Sequence, residues 1–531
     1  MDPAWSEIHG MYGTSMRENR EIPPSPRLLI TGWAAQGTQG GTPEMHERGK
    51  SDRFVVPANP PNKATAAGVG EERERAKGNT DGKTHPGPSA GTDASSALGR
   101  VREVARRDKD ARFTALLHHV TASRLRRAYW AISPKAAPGV DWVTWDDYGR
   151  NLEANLLDLH GRVQSGRYRA KPSRRAYIPK PDGRMRPLGI ASLEDKIVQR
   201  AVVEVLNAVY EVDFRGFSYG FRPGRGPHDA LDALAVGIER KRVNWVLDAD
   251  IRNFFGQIDH SWLRRFVEHR IADKRIWRLI GKWLAAGVIE DGQWSACEEG
   301  SPQGASASPL LANVYLHYVF DLWADHWRRH HAGGDVIIVR FADDFIVGFQ
   351  YEEDARRFLD ELRERFARFG LELHPDKTRL IEFGRHADWK RRKRGLGKPE
   401  TFDFLGLTHI CAKGKRGRFW VKRITIAKRM RAKLREIKIE LTRRRHRPVP
   451  EQGAWLRSVV QGYLVYYAVP GNTDTVAAFR TQVTRHWYMA LRRRSQKTRL
   501  TWGRMNRLAN RWLPPARVRH PFPAERFAAR T

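Results

Sequence analysis

The sequence has few cysteines, few acidic residues and no long apolar run. It contains 531 residues but only two cysteines, Cys297 and Cys411, which lie far apart. This spacing excludes a disulfide framework and any Cys-x-x-Cys zinc site. No apolar stretch approaches the roughly 20 residues that a membrane-spanning helix needs, and no signal-type segment is visible at the N-terminus. We therefore expect a soluble, cytoplasmic protein that does not contact a membrane.

Acidic residues are strongly outnumbered. There are 60 Asp and Glu against 95 Lys and Arg, which gives a net charge of +35. A field of this sign attracts a polyanion along a large surface, so nucleic acid is the leading candidate partner. An anionic membrane surface is the competing partner, and the lack of a spanning segment disfavours it. The length of the chain predicts several domains, each with its own core.

The composition changes along the chain. Residues 1–105 are rich in Gly, Pro, Ser and Thr without a sustained period, which predicts a largely disordered extension. The stretch "YRAKPSRRAYIPKPDGRMRPLGI" predicts a two-stranded ribbon with a turn at Pro181 to Gly183. The next stretch, "SLEDKIVQRAVVEVLNAVY", predicts a helix capped by Ser192 and Asp195. From about Val421 the chain is Arg-rich and helical in pattern. The order of elements predicts an α+β sheet domain followed by a basic helical domain.

Acidic residues occur at the ends of two apolar segments. "VLDAD" ends at Asp250, and "RFADDF" places Asp343 and Asp344 at an expected hairpin turn. If these strands are neighbours, three carboxylates meet at one sheet edge and repel one another unless cations bind there. Hard oxygen ligands of this kind suit Mg²⁺. Two Mg²⁺ ions about 4 Å apart catalyse in-line phosphoryl transfer. Taken alone, an Asp-Asp pair is ordinary turn chemistry.

Eight blocks of the sequence together resemble bacterial reverse transcriptases encoded by group II introns. They occur in the family's order from about Phe113 onward: "GVDWVT", "IPKPDGRMRPLGIASLEDKIVQRAV", "SYGFRPGRGPHDAL", "LDADIRNFFGQIDH", "GSPQGASASPLLANVYLH", "RFADDFIVGF", "GLELHPDKTRLIEFGR" and "FDFLGLTH". The resemblance implies a right-hand polymerase with fingers at 106–248, a palm with an antiparallel sheet at 249–415, and a helical thumb with maturase domain X at 416–531.

The resemblance also implies roles for individual residues. It makes Asp250, Asp343 and Asp344 the catalytic ligands of two Mg²⁺ ions, with the Ile251 carbonyl as a backbone ligand. Phe255 matches the steric gate that excludes a 2′-hydroxyl, although it could equally be a core aromatic residue. Lys377 in "HPDKT" matches a residue that neutralises or protonates the departing pyrophosphate, or it is simply a solvated lysine. The remaining residues implied to bind the incoming nucleotide are Arg184, Arg186, Asn253, Phe254 and Gln303.

One residue departs from the family pattern. The family usually has Tyr before "ADD", whereas this chain has Phe341. The ring is kept and only a hydroxyl is lost, so activity is expected to survive.

The C-terminal third alternates cations and aromatic side chains, a combination that suits RNA. Trp455, Tyr463, Tyr466 and Tyr467 are the candidate RNA-stacking residues, and an aromatic core of a helical bundle is the alternative. In the family this region binds intron RNA. Two lone cysteines cannot build the metal site of the HNH endonuclease found in many members. We therefore expect no second-strand nuclease, and priming from a pre-existing 3′ end.

These features predict an RNA-directed DNA polymerase and intron maturase. The expected partners are group II intron RNA, a DNA target and primer, and deoxynucleoside triphosphates, with the protein at the nucleoid when it is bound to DNA. Two alternatives stay open: a related enzyme that has left the intron for DNA repair or phage defence, and a non-enzymatic RNA-binding splicing cofactor. The sequence does not predict the oligomeric state.

Overall fold

The computed structural model describes residues 91–179, 185–296, 300, 304–414 and 417–528. Several predictions fall outside these ranges: the extension up to residue 90, the turn at Pro181 to Gly183, and the residues Arg184 and Gln303. The described part mixes helices with sheets built almost wholly of antiparallel strands, and its C-terminal region is helical. The predicted α+β class is confirmed.

The described helices and strands are numbered in chain order. The helices are α1 Gly91–Arg107, α2 Ala122–Trp130, α3 Trp145–Gly149, α4 Leu152–Gln164, α5 Leu193–Tyr210, α6 Pro227–Arg240, α7 His260–Arg270, α8 Lys274–Ala285, α9 Ser308–Leu316, α10 Leu322–His330, α11 Glu352–Arg368, α12 Ala387–Lys393, α13 Ala427–Arg443, α14 Val449–Tyr467, α15 Thr473–Arg492, α16 Trp502–Trp512 and α17 Pro523–Ala528. The strands are β1 Ser173–Pro179, β2 Met185–Ile190, β3 Trp245–Asp250, β4 Val288–Glu290, β5 Gln293–Ser295, β6 Val336–Phe341, β7 Asp344–Phe349, β8 Arg379–Glu382, β9 Phe402–Phe404, β10 Leu407–Lys413 and β11 Phe419–Thr425.

The fingers region surrounds the buried helix α5. The side chain of Ser192 accepts a hydrogen bond from the Asp195 backbone N–H, which caps this helix as predicted. Strands β1 and β2 pair antiparallel, as the basic ribbon predicted, and β4 and β5 extend the same sheet. This small sheet stands beside the palm and presents Arg186 on β2.

The palm sheet has the strand order β6-β7-β3-β8, with every pair antiparallel. Both of its faces are buried. Leu247 and Val347 pack into the core shared with the fingers helices and α11, whereas Val246 and Ile337 pack into a second core with α6 and the thumb. Since neither face meets water, these strands are apolar at nearly every position instead of alternating. This burial explains the continuous apolar run in "VIIVRF" and "FIVGF".

The β9-β10-β11 sheet spans the predicted boundary at residue 415 between palm and thumb, and helices α13 to α17 of the thumb follow it. The sequence predicts a helical pattern from about Val421, but Val421 lies in β11, which pairs along its length with β10. Two other elements cross predicted domain boundaries: α1 spans residue 105, and β3 spans residue 248. The division into domains therefore stays a prediction. Within the described ranges, no helix is both long and apolar enough to cross a membrane.

The three thumb tyrosines that were candidates for RNA binding lie in the core. Tyr463, Tyr466 and Tyr467 on α14 are only 4–7% exposed. The ring of Tyr463 stacks on Phe479 with 3.6 Å between centroids, and the Tyr466 hydroxyl donates a hydrogen bond to the Leu405 carbonyl at 2.7 Å. No base can reach a ring face that is already covered by protein. The RNA-binding prediction is wrong for these three residues, and the aromatic-core alternative is right.

We predict that Tyr466→Phe lowers the free energy of unfolding by about 1–3 kcal/mol. The substitution removes the donor and leaves the buried Leu405 carbonyl without its partner. Chemical denaturation of the purified protein measures the change. Tyr351→Phe is the matched control, because that side chain is exposed and its loss of a hydroxyl should change stability by less than about 0.5 kcal/mol. Equal effects of the two substitutions would contradict the structural role of Tyr466.

Candidate active site

Three carboxylates meet at one end of the palm sheet. Strands β3 and β7 pair in a register that sets Asp250 directly opposite Asp344. Asp343 lies in the two-residue turn between β6 and β7, where Ala342 adopts a positive φ of 58°. The predicted hairpin and the predicted meeting of the three carboxylates are therefore both present.

The surroundings of Asp343 and Asp344 raise the pKa of both carboxyl groups when no cation is bound. Burial, followed by repulsion from Asp250, raises the pKa of Asp343 to about 6. Burial together with the charges of Asp343 and Asp250 raises the pKa of Asp344 well above its ordinary value. Asp344 is exposed and Asp343 is half-buried, so the end of the sheet at which they meet is open to solvent, and we call this open end the cleft. Positive charge entering this cleft relieves the repulsion.

Lys377 supplies one such positive charge. Its Nζ forms an ion pair with the Asp250 carboxylate, while the lysine side chain itself is 53% exposed. Among the described residues, no group of three or more His, Cys, Asp or Glu side chains is arranged as a ready metal site. In this structure the Lys377 ammonium group contacts one carboxylate oxygen of Asp250, an atom that a metal ion at the cluster would also contact. Lys377 therefore lies beside Asp250, and its role toward pyrophosphate stays a prediction.

The backbone of Ile251 is turned toward the same cleft. The Arg252 N–H donates to the Glu372 carbonyl at 2.8 Å, and the His374 N–H donates to the Asp250 carbonyl at 2.8 Å. Successive residues of a strand direct their polar groups to opposite sides. The carbonyl of Ile251 therefore points away from His374, to the side of β3 on which β7 pairs.

The two adjacent phenylalanines after β3 have different surroundings. Asn253 has a left-handed conformation with φ of 43°, which turns the chain into a short 3₁₀ segment, Phe254–Gly256. Phe254 is buried and contacts Tyr315 edge-on at 6.4 Å between centroids. Phe255 is half-buried at the border of the core. Phe254, predicted as part of the nucleotide site, is thus a core residue, while Phe255 is the one of the pair with an accessible part of its ring.

The fingers contribute a cation near the cleft. Arg186 is half-buried, and its charge acts on Asp343 by lowering the pKa of that carboxyl against the larger effect of burial. The loop with Gln303 is described only at its flanks. The Gly300 N–H donates to the Ile258 carbonyl at 2.9 Å, and a Cβ at Gly304 would lie 2.8 Å from the Gly189 carbonyl oxygen. Glycine at 304 therefore permits a close approach of the loop to β2.

Arg340, which the sequence patterns did not single out, holds the β6–β7 hairpin in place. Its fully buried guanidinium donates to both carboxylate oxygens of Asp321 at 2.7 and 2.5 Å. It also donates to the Asn313 side chain at 3.0 Å, the Ser218 hydroxyl at 2.7 Å and the Ala342 carbonyl at 3.0 Å. The last bond fixes the turn residue that precedes Asp343. The only signal in the sequence was one arginine inside an apolar strand.

A second segment packs against the same turn. The Tyr219 N–H donates to the Arg340 carbonyl at 2.9 Å. A Cβ at Gly220 would lie only 2.3 Å from the Ala342 nitrogen, so only glycine fits at this position. The block "SYGFRPGRG" is therefore a support for the catalytic hairpin.

Comparison with known proteins agrees with this geometry. Residues 178–409 match the family described as reverse transcriptase (RNA-dependent DNA polymerase). Protein YkfC of Escherichia coli (strain K12) is 34% identical over 286 residues, which cover 47% of this chain and 74% of that protein. The group II intron-encoded protein LtrA of Lactococcus lactis subsp. cremoris is 41% identical over 166 residues, 31% of this chain and 27% of LtrA. An uncharacterized 91 kDa protein in a cob intron of Schizosaccharomyces pombe is 39% identical over 170 residues, 31% of this chain and 21% of that protein.

The chain belongs to the reverse transcriptase family, among the group II intron-encoded proteins. Its enzyme class is therefore RNA-directed DNA polymerase, and the family uses a divalent metal ion. The chain spans about a quarter of LtrA, so the match to that relative concerns only part of its length. The segment matched to the reverse transcriptase family runs from the end of β1 into β10, and thus includes the three carboxylates.

Phe341 of this reverse transcriptase lies in β6 directly opposite Asp344 in the hairpin. Its half-buried ring packs against the second core of the palm. The ring thus has a structural contact that does not need the hydroxyl of the usual tyrosine.

We predict that Arg340→Met lowers the free energy of unfolding by about 3–5 kcal/mol, because it leaves the Asp321 carboxylate buried without its partner. The double substitution Arg340→Met with Asp321→Leu removes both charges and should recover most of this loss. Chemical denaturation measures both variants. If the double variant loses as much unfolding free energy as the sum of the two single substitutions, the Arg340–Asp321 ion pair does not account for the loss in Arg340→Met.

Proposed function

We propose that the protein copies RNA into DNA by metal-assisted nucleotidyl transfer at Asp250, Asp343 and Asp344, and that it does so on a group II intron RNA during retrohoming. The observation that supports this proposal most directly is the register of β3 and β7, which sets Asp250 opposite Asp344 beside the Asp343 turn. A hairpin that only turned the chain would not need a third carboxylate on the neighbouring strand.

The carboxylates fit a pair of Mg²⁺ ions. All of the side-chain donors are oxygen atoms, and the carboxyl pKa values of Asp343 and Asp344 are raised by burial and mutual repulsion. Asp250, Asp343 and Asp344 would hold the ions together with the Ile251 carbonyl, which points into the same cleft. When bound, the ions supply activation of the primer 3′-hydroxyl and charge stabilisation of the leaving pyrophosphate.

The remaining residues position the nucleotide. Lys377 leaves Asp250 for the phosphates and neutralises the departing pyrophosphate. Arg186 binds the triphosphate with its guanidinium fork, and Arg184 and Gln303 are proposed as further nucleotide contacts. Phe255 packs against the sugar and excludes a 2′-hydroxyl, while Asn253 fixes the turn that presents this ring.

The maturase part of the proposal concerns the thumb. Helix α13 buries Leu434 and Ile437 on one face. An adjacent face is exposed and carries cations at helical spacing: Lys428, Arg431, Arg435 and Lys438. Such a stripe suits the phosphates of a folded intron RNA.

Trp455 stays a proposed RNA contact. It is half-buried, and the Arg444 guanidinium lies 5.1 Å from the centre of its ring. A base could extend this stack from the exposed side. The proposal includes work on a DNA target and primer, with the protein in the bacterial cytoplasm and at the nucleoid when bound to DNA.

We predict that Asp343→Ala abolishes extension of a DNA primer on an RNA template in the presence of Mg²⁺, with a loss of at least about 1,000-fold, since it removes a ligand of the ions. Asp360→Ala is the matched control, because Asp360 is exposed on α11 and pairs with Arg363 of the same helix at 3.1 Å. Gel analysis of extension products measures both variants. Full primer extension by Asp343→Ala would contradict the proposed catalytic role of this carboxylate.

We predict that Phe255→Val increases incorporation of ribonucleotides relative to deoxynucleotides by about tenfold or more, because the smaller side chain leaves room for the 2′-hydroxyl. Competition between the two nucleotide types in single-nucleotide extension measures the ratio. Phe254→Leu is the control: its ring is buried, so the substitution should lower stability without changing the ratio. An unchanged ratio in Phe255→Val would mean that this ring is only a core residue.

A further inference from the structure

A second strongly basic surface lies outside the catalytic cleft. Between β8 and β9, residues 385–398 contain seven Lys or Arg and a single acidic residue, Asp388. This segment forms α12 and is exposed over most of its length. Cations from α6 and from the β10-β11 hairpin join it. We call this surface the basic platform; its cations are Arg240, Arg385, Arg392, Lys393, Lys413 and Arg418.

Specific contacts bring these separate segments together. The Arg385 guanidinium donates to the Glu239 carbonyl at 3.1 Å, which ties the segment to the end of α6. Lys413 Nζ lies 3.6 Å from the Asp388 carboxylate, and Arg392 pairs with the same carboxylate at 3.1 Å. Thus one acidic group is shared by two cations, and the surface keeps an excess of positive charge.

An aromatic ring stands in the middle of the basic platform. Trp389 on α12 is 62% exposed, although a tryptophan side chain is normally largely buried in a folded protein. The Lys393 ammonium lies 5.5 Å from the centre of its ring, so a cation already flanks the indole. Leu396, in the loop that follows α12, is exposed as well. An exposed indole adds nothing to the solubility of a charged helix. Its free ring face can instead stack on a nucleic-acid base.

The basic platform is far from the catalytic carboxylates. The residues before Arg385 contact the start of β3: the Phe383 N–H donates to the Asn244 carbonyl at 2.9 Å, and Trp245 pairs with Glu382. The catalytic Asp250 is at the other end of the same strand. The five residue-to-residue steps of this six-residue strand separate its two ends by about 16–17 Å. The basic platform therefore lies outside the catalytic cleft, at the opposite end of β3.

We propose that the basic platform binds a folded RNA, with its cations on the phosphates of a helix and Trp389 stacked on an unpaired base next to that helix. Folded RNA presents both features together, whereas duplex DNA keeps its bases stacked inside and offers Trp389 no free face. This proposal rests on the proposed function, and names a surface through which the RNA partner is held outside the cleft.

The test measures binding of the full chain to two fluorescent RNA probes. One probe is a hairpin with a single-stranded 3′ adenosine extension, and the other is the same hairpin with a blunt end. We expect Trp389→Ala to weaken binding of the extended hairpin about tenfold or more and to leave the blunt hairpin nearly unchanged. Trp389→Phe keeps a stacking face and should restore most of the affinity.

A second pair of variants tests whether the positive charge of the basic platform contacts RNA phosphates. Arg392→Gln with Lys393→Gln should weaken binding of both probes and reduce the slope of log affinity against log salt by about 2. Arg356→Gln with Arg363→Gln removes the same charge from α11, where both arginines are paired with acidic residues of the same helix. That control should leave the slope unchanged.

The possible outcomes separate this proposal from the proposed function. Primer extension on a pre-annealed, saturating RNA template and DNA primer should be unchanged in all platform variants, because none of these residues touches the cleft. Inactive wild-type protein in that assay would defeat the proposed function alone. Unchanged affinity of Trp389→Ala for the extended hairpin would overturn the platform proposal. An equal loss with a DNA hairpin of the same sequence would assign the platform to single-stranded DNA and overturn it too.

Discussion

Repulsion among three carboxylates at the end of the palm sheet is the constraint on which the rest of the structure depends. Asp250, Asp343 and Asp344 cannot stay together unless the strands that carry them are held rigidly. Two devices do this in the described part of the chain: the antiparallel register of β3 with β7, and the buried Arg340 that bonds to Asp321 and to the turn itself. The fold thus holds three mutually repelling carboxylates together, and this arrangement becomes favourable when cations and phosphates bind beside them.

Burial of the palm sheet on both faces has a consequence for how nucleic acid can bind. Helices cover both faces, so the accessible parts of the sheet are its ends and edges. The carboxylates occupy one end, and the basic platform around Trp389 occupies the other. A polyanion of large size can touch both ends at once. The net charge of +35 is therefore distributed over separate surfaces with separate chemistry.

Much of the fold and the centre of the site could be predicted from local patterns. The apolar runs around Asp250 and "ADD" predicted strands, and Ser192 marked a helix start, because short apolar runs and helix caps depend on residues close in sequence. The tyrosines of α14 could not be assigned in this way. An aromatic residue among arginines has the same pattern whether it stacks on Phe479 or on a base, and only the packing of α15 against α14 decides between them.

The sequence by itself determined the reaction class, since the carboxylates, the loop glycines and the basic excess are chemical identities that folding does not change. The tertiary structure alone decided which residues support them. Arg340 meets Asp321 and Ser218 from segments 19 and 122 residues away, and the segment with Trp389 is tied to α6 through Arg385 and to β10 through Lys413. Contacts between residues so distant in the chain leave no periodic pattern in the sequence, because their proximity depends on how the sheets and helices pack together.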